Sequence, residues 1–409
     1  MTVLENQKIK IRSRRNVQEF QINSNDAVLL RQVELRNNGI FKWGFDTITP
    51  QQWIGVISTK DLNIEILPKI SESYDIDEIR QKLLYMFQVA HDIPTRTNIN
   101  SKVRFAEKGI LEILISNFLA KLEQYLQSGM VRTYEKQKRN LHAIKGTIVF
   151  NEQIRKNNFN LTRFVCRYSK LVEDNLINRL LKRALSSMRK VSHDNSNIEW
   201  IKRMLPVFED VSDIGSNLDY KKTLVFNRHN NRVVELIEYC ELFFSGMFAH
   251  LNIGNNMVHA VLFDMNKLFE LFIYKSLKKV YGHKVLNQVS GTYLLESLDN
   301  GKKRVNLRPD IWLDLYDGYR IIIDTKWKKI NRFIKESDVY QMNAYTTAIS
   351  NVKETILIYP FVKGSGRSVG DYLINNQLGN NLLKVRTIDL KYVDNIAKFS
   401  EHLREIIET

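Results

Sequence analysis

The sequence predicts a multidomain α/β protein of the α+β kind. A β-rich N-terminal domain is expected over residues 1–74, a mainly helical basic region over 75–255, and a C-terminal α/β domain over 256–409. Three observations predict it. Short apolar runs with strand-like alternation crowd the first 70 residues, the hydrophobic period switches to the helical one at Asp75, and helix-type and strand-type segments alternate through the last 150 residues. A chain of 409 residues is also long for one core, since single cores stop growing near about 250–300 residues.

Lys8-Ile9-Lys10-Ile11 alternates, as a half-buried strand does. Trp53-Ile54-Gly55-Val56-Ile57 is an apolar run closed by the polar break Thr59-Lys60-Asp61, and Ile64-Glu65-Ile66-Leu67 then leads into Pro68. Strand, turn, strand fits this pattern, and a small barrel or sandwich is the expected form. Asp75-Ile76-Asp77-Glu78 opens a helix with acids in the first turn, where they meet the positive end of the helix dipole. Ile79, Leu83, Leu84, Phe87 and Ala90 fall on one face of it. A second helix is expected over 109–127, stopping at Gly129, and a third over 174–190 with Leu176, Ile177, Leu180, Leu181, Ala184 and Leu185 as its stripe. The most apolar window, 111–122, is broken by polar groups at helical spacing, so it predicts a buried amphipathic helix and not a membrane span. In the last part, helices are expected over 266–281, 337–349 and 393–407, and strands over 306–315, 319–327, 354–359 and 386–390.

Lys and Arg number 61 against 45 Asp and Glu, a net charge of +16. That excess predicts a polyanionic partner, nucleic acid before membrane surface. Between Arg132 and Lys190 fifteen basic residues face four acidic ones, Glu135, Glu152, Glu173 and Asp174. Any single cation there reads as solvated helix surface, and the cluster as phosphate contact. Two cysteines, Cys166 and Cys240, cannot build a disulfide framework or a zinc finger, so they read as small buried hydrophobes in a reduced, cytoplasmic setting. The eight histidines show no metal-ligand spacing. The N-terminus has no long apolar run after its charges, which predicts no signal peptide and no membrane partner.

Chemistry concentrates in Arg308-Pro309-Asp310-Ile311-Trp312-Leu313-Asp314-Leu315, then Tyr316-Asp317-Gly318-Tyr319, then Arg320-Ile321-Ile322-Ile323-Asp324-Thr325-Lys326. Asp317-Gly318 between two apolar runs is a hairpin signal. Side chains alternate along a strand, so Asp324 and Lys326 share one face, and Asp310 on the neighbouring strand can face the same side. Two carboxylates can hold a hard divalent cation such as Mg²⁺ through oxygen, with the Thr325 carbonyl as a third oxygen. Such a cation polarises a scissile phosphate and acidifies a bound water, and Lys326 can orient that water or meet the charge building on phosphorus. The alternative is a surface ion pair between Asp324 and Lys326. An Asp after three isoleucines in a buried strand is costly without a partner, which weighs against it. Glu270, an acid inside an apolar helix, can complete the metal shell directly or through water, or be a partly exposed helix acid. Gln341 and Tyr345 stand at i, i+4 on one helix face, where they either touch the DNA backbone and brace the site or form an ordinary polar stripe.

Pro309-Asp310 followed by Asp324-Thr325-Lys326 resembles the PD-(D/E)xK nuclease superfamily, and Gln341 with Tyr345 looks like the motif after the active site in its RecB-like branch. Over nearly its whole length the chain resembles the McrC family of McrBC restriction systems. Leu67-Pro68-Lys69-Ile70, Gly129-Met130-Val131-Arg132-Thr133-Tyr134, Glu173-Asp174-Asn175-Leu176-Ile177-Asn178-Arg179 and Leu357-Ile358-Tyr359-Pro360 all fit. Leu141-His142-Ala143-Ile144-Lys145-Gly146 fits with Lys where the family ends in Arg-Gly.

The resemblance implies a restriction-endonuclease-like C-terminal domain that cuts double-stranded DNA with Mg²⁺, Mn²⁺ being a substitute. It also implies a McrB-like AAA+ GTPase hexamer as partner, on which the β-rich and helical parts dock and whose GTP hydrolysis the chain stimulates. The partner would read the target, 5-methylcytosine in the family, as part of antiviral defence. No Gly-x-x-x-x-Gly-Lys-Ser/Thr loop is present, so the chain is expected to bind no nucleotide itself. Its Gly-rich run 364–370 has the wrong spacing and is expected to be a mobile loop near the site, with Arg367 on phosphate. Two other readings stay open: a non-cleaving adaptor that activates the GTPase and binds DNA, and a free-standing RecB-like repair nuclease.

Overall fold

The computed structural model describes residues 1–12, 20–36, 39–60, 62–69, 75–93, 108–215, 224, 226, 231–253, 256–315, 318–330, 334–361, 368–376 and 379–408. The chain divides into two compact units, one made of residues 1–114 together with 244–409 and the other of residues 115–243. The sequence pattern places its divisions elsewhere, after 74 and 255.

The first unit opens with β1 (Thr2–Leu4), β2 (Ile9–Arg12), β3 (Gln21–Asn23), α1 (Ser24–Arg36), β4 (Phe41–Trp43), β5 (Thr47–Pro50), β6 (Trp53–Ser58) and β7 (Asn63–Leu67). The expected strands form as β2, β6 and β7. The N-terminal region is not all strand, however, because α1 buries Ala27, Leu29, Leu30 and Val33 in the same core as Ile9, Ile22, Ile48, Ile57, Ile64 and Ile66. α2 (Ile76–Ala90) follows, with its expected stripe Ile79, Leu83, Leu84, Phe87 and Ala90 buried, and then α3 (Ile110–Gln127) begins.

The second unit holds the rest of α3, then β8 (Thr133–Leu141), β9 (Thr147–Ile148), α4 (Phe150–Asn157), β10 (Phe164–Val172), α5 (Leu176–Val191), α6 (Asn195–Met204) and most of α7 (Val234–Ser245). α5 realises the third expected helix, capped where the Asn175 side chain accepts the Asn178 N–H. Within the mainly helical region expected over 75–255, β8 and β10 are strands, which pair antiparallel over nine residues each from Phe164↔Leu141 to Val172↔Thr133. β8, Thr-Tyr-Glu-Lys-Gln-Lys-Arg-Asn-Leu, is largely exposed on both faces, so it has no apolar period to betray it. Several cations read as helix surface therefore sit on strands: Lys136, Lys138 and Arg139 on β8, Arg167 and Lys170 on β10.

The chain returns to the first unit through β11 (Met247–Ile253) and β12 (Asn256–Asp264). At β11 too the mainly helical expectation for 75–255 gives way to strand. β12 pairs with β6 from His259↔Ser58 to Asp264↔Trp53, giving a sheet of order β1-β7-β6-β12-β11. Gly55 makes the approach possible. Its φ is +134°, and a Cβ there would stand 2.1 Å from the Val261 carbonyl oxygen.

The α/β part follows: α8 (Met265–Tyr281), β13 (Val285–Asn287), β14 (Thr292–Glu296), β15 (Lys303–Leu307), β16 (Ile311–Asp314), β17 (Arg320–Thr325), α9 (Glu336–Ala348), β18 (Val352–Pro360), β19 (Ser368–Asn376), β20 (Gly379–Ile388) and α10 (Ile396–Glu408). Six of these strands form a sheet of order β13-β16-β17-β18-β20-β19. β16 and β17 are antiparallel, as the hairpin signal requires; its turn residues Tyr316 and Asp317 lie outside the described residues. β17, α9 and parallel β18 form a strand–helix–strand crossover. The single strand expected over 306–315 is broken at Arg308-Pro309-Asp310, where Pro309 offers no N–H to a ladder. β14 and β15 form a separate two-stranded sheet. Of the Gly-rich run, residues 364–367, Arg367 among them, lie outside the described residues, and Ser368–Gly370 open β19 rather than a loop. Among the described residues no helix is long and apolar enough to cross a membrane.

Candidate active site

β17 occupies the middle of the six-stranded sheet, and both of its faces are covered, so Ile321, Ile322 and Ile323 are all buried. Even-numbered side chains share the face of Ile322, which packs with Met342 and Tyr345 of α9. Asp324 and Lys326 extend that face past the carboxyl end of the strand, the end at which open α/β sheets receive ligands. Odd-numbered Trp327 points to the other face, where its ring meets Phe269 of α8 edge-on at 5.3 Å.

The register Ile311↔Ile323, continued by one residue, puts Asp310 opposite Asp324. The Thr325 N–H and hydroxyl donate to Asp310 Oδ2 at 2.8 and 3.0 Å and fix that carboxylate. Asp324 is fully buried, and its Oδ2 lies 2.5 Å from Lys326 Nζ, an ion contact outside hydrogen-bond geometry, so this oxygen accepts no hydrogen bond. Gln341 ties the face together. Its Nε2 donates to Asp324 Oδ1 at 3.1 Å and to the Tyr345 hydroxyl at 2.7 Å, and its Oε1 accepts from Lys326 Nζ at 3.0 Å. The Tyr345 hydroxyl in turn donates to the Arg308 carbonyl at 3.5 Å. The structure thus brings Asp310, Asp324, Thr325, Lys326, Gln341 and Tyr345 together. Glu270 is near enough to feel the charges of Asp310 and Lys326, yet its hydrogen bond is with Gln288, whose Nε2 donates to Glu270 Oε1 at 2.6 Å.

Electrostatics follow from burial. Asp324 is pushed above the ordinary carboxylate range by burial and then by the charge of Asp310; Asp310 is also raised by burial, against the pull of Thr325 and Lys326. Glu270 rises to about 7 through burial and the neighbouring Asp310. Burial pulls Lys326 down, but Asp324 and Asp310 outweigh it and hold its ammonium above the ordinary value. Three carboxyls that resist ionisation around one ammonium make a site short of positive charge.

These residues fit a hard divalent cation. The donors are oxygens throughout, the carboxylates of Asp310 and Asp324 standing opposite one another on neighbouring strands with the Thr325 carbonyl beside them. Among the described residues no group of three or more His, Cys, Asp or Glu stands ready as a closed cage. Mg²⁺ needs none, because it keeps several waters and is commonly held by one or two carboxylates plus substrate phosphates.

The sequence profile of the McrBC 5-methylcytosine restriction system component matches residues 48–360, well over half of the chain and all of the residues above. The chain belongs to the McrBC family. The McrBC-family fold is also that of solved relatives. A chain of the refined half-complex from the tetradecameric assembly of Thermococcus gammatolerans McrB AAA+ hexamers with bound McrC superposes with a TM-score of 0.65 at 16% identity, covering 100% of this chain and 99% of that one. A chain of the cryo-EM structure of the Thermococcus gammatolerans McrBC complex gives 0.52 at 19% identity, covering 68% of this chain and 86% of that one. Comparison with curated proteins finds no match.

Sequence reasoning missed two supports of this McrBC-family site. Gln288 holds Glu270 from β13's end, eighteen positions away, with no local pattern to announce it. Asp338, buried on α9, takes Lys328 Nζ at 2.5 Å and the Tyr359 hydroxyl at 2.8 Å, and its charge acts on both Asp324 and Lys326.

Proposed function

We propose that this chain is the nuclease subunit of a McrBC-type restriction complex, cleaving phosphodiester bonds in double-stranded DNA with Mg²⁺ while docked on a McrB-like AAA+ GTPase hexamer whose GTP hydrolysis it stimulates. The meeting of Asp310, Asp324 and Lys326 at the carboxyl end of β17 carries the reading, in a chain of a restriction-system family. Assembly with a GTPase ring is supported by the fold shared with a chain solved among McrB AAA+ hexamers with bound McrC.

Asp310 and Asp324 would hold the cation, with the Thr325 carbonyl and Glu270 as further oxygen donors. Bound Mg²⁺ supplies Lewis acidity at the scissile phosphate. Thr325 orients Asp310, and Gln341 orients both Asp324 and Lys326, so the groups are positioned before substrate arrives. Lys326 keeps its proton through the pull of Asp324 and Asp310, and offers that positive charge to the phosphate oxygens as negative charge builds on them.

The second reading is a non-cleaving adaptor that activates the GTPase and binds DNA. One assay separates them. Plasmid cleavage is measured with the partner GTPase, GTP and Mg²⁺ for wild type and for Asp310→Ala, Asp324→Ala and Lys326→Ala. Loss of cleavage in all three with GTPase stimulation retained is the expected result. Cleavage that survives all three substitutions overturns the assignment, and cutting by the chain alone would mark a free-standing nuclease.

A further inference from the structure

Beside the catalytic strands stands a hairpin that joins no larger sheet, β14–β15. Two-stranded ribbons are marginal in water unless a face is covered. This one leaves Tyr293, Leu294, Leu295 and Val305 exposed, and Leu298 in its turn is fully exposed. Its turn is closed by two backbone hydrogen bonds. The Ser297 N–H donates to the Lys302 carbonyl at 3.0 Å, and the Gly301 N–H to the Ser297 carbonyl at 2.8 Å. At its root, Leu307 is buried in the cluster that contains Trp312, Met342 and Tyr345, so the ribbon grows from the packing of the site itself.

Its charge points to the occupant. Lys302, Lys303 and Arg304 are consecutive and exposed, Arg308 follows, and only Pro309 separates Arg308 from Asp310. Glu296 and Asp299 are the acids of the hairpin. A second copy of this chain is a poor fit, because a two-fold contact would set the cation run against itself. Five residues per strand span roughly 16 Å, about five base pairs of duplex.

We propose that the β14–β15 hairpin is the arm that seats double-stranded DNA on the nuclease domain. Lys302, Lys303 and Arg304 take backbone phosphates to one side of the scissile bond, and Leu298 with Leu295 enters the minor groove. This rests on the reading that β17 carries a DNA-cutting site, and the test keeps the two apart.

Binding of the full chain to a 30-base-pair duplex is followed by fluorescence anisotropy in EDTA, where no cleavage occurs, between 50 and 200 mM KCl. The combined Lys302→Gln, Lys303→Gln, Arg304→Gln variant loses three phosphate contacts, so its log–log salt slope is shallower by about 2.7, and its affinity falls roughly 40-fold less than wild type over that range. The charge-matched variant Lys353→Gln, Lys398→Gln, Arg404→Gln on β18 and α10 keeps the wild-type slope. Equal slopes for the two variants, or an unchanged slope in the hairpin variant, overturn the proposal. Leu298→Cys supplies a single exposed thiol, since Cys166 and Cys240 are buried. Carrying a photo-crosslinker, it attaches to the duplex; absence of attachment overturns the minor-groove part. If Leu295→Glu with Leu298→Glu instead dissociates a dimer in sedimentation and leaves DNA binding intact, the surface belongs to a second copy and the proposal fails. Continued cutting by Asp310→Ala and Asp324→Ala would remove the nuclease reading without touching the salt slope.

Discussion

Glu5 is 7% exposed and lies just past β1, where its Oε2 accepts the Trp327 indole N–H at 2.8 Å, one residue beyond Lys326. Burial raises its carboxyl from 4.5 to about 7, against the pull of the Trp327 and Lys69 hydrogen bonds. A carboxyl raised in the folded protein favours folding most below its unfolded pKa, and that contribution disappears as pH rises through the folded value. Between pH 4.5 and 7 the loss accumulates to about 3 kcal/mol. Glu5→Gln keeps an acceptor for the indole and removes the ionisation. It should therefore match wild type near pH 4 and exceed it at pH 8 by up to about 3 kcal/mol, roughly 6 °C in the unfolding midpoint of a unit this size. Thermal unfolding of both proteins in EDTA across pH 4 to 8 reads this directly. A variant equally destabilised at every pH, or parallel curves with no convergence at low pH, would show that the Glu5 carboxylate is solvated in the folded chain and refute the reasoning.

Three further outcomes test the site. Mg²⁺ should raise the unfolding midpoint of wild type by mass action, about 2.7 kcal/mol at a hundred times its dissociation constant, and EDTA should reverse it. Asp324→Asn should lose that rise while gaining stability above neutral pH, since it deletes a carboxyl whose charged form burial disfavours; an undiminished Mg²⁺ response in this variant counts against Asp324 as a ligand. Gln341→Ala removes the donor to Asp324 Oδ1 and the acceptor of Lys326, bonds to charged groups worth about 1.5–3 kcal/mol each. Cleavage should fall about 10- to 100-fold with the fold retained, and unchanged cleavage would reduce Gln341 to part of a polar stripe.

What near neighbours along the chain decide could be read from the residues alone. Alternation placed Asp324 and Lys326 on one face of a strand, the i, i+4 spacing placed Gln341 beside Tyr345, and the stripes of α2 and α5 were readable because each buries one face on a period of 3.6. β8 and β10 were not readable, because β8 is largely exposed on both faces and β10 buries the adjacent pair Val165 and Cys166 instead of alternating. Folding in three dimensions was needed to pair β12 with β6, some two hundred residues away, and so to join the N-terminal sheet to the chain leading into the six-stranded sheet. The same long-range packing brought Gln341 across from α9 onto Asp324 and Lys326, set Glu5 against Trp327, and buried Asp324 completely. Periodicity is set by the backbone of one segment, whereas burial and the pKa of a carboxyl are set by whichever distant segments pack over it.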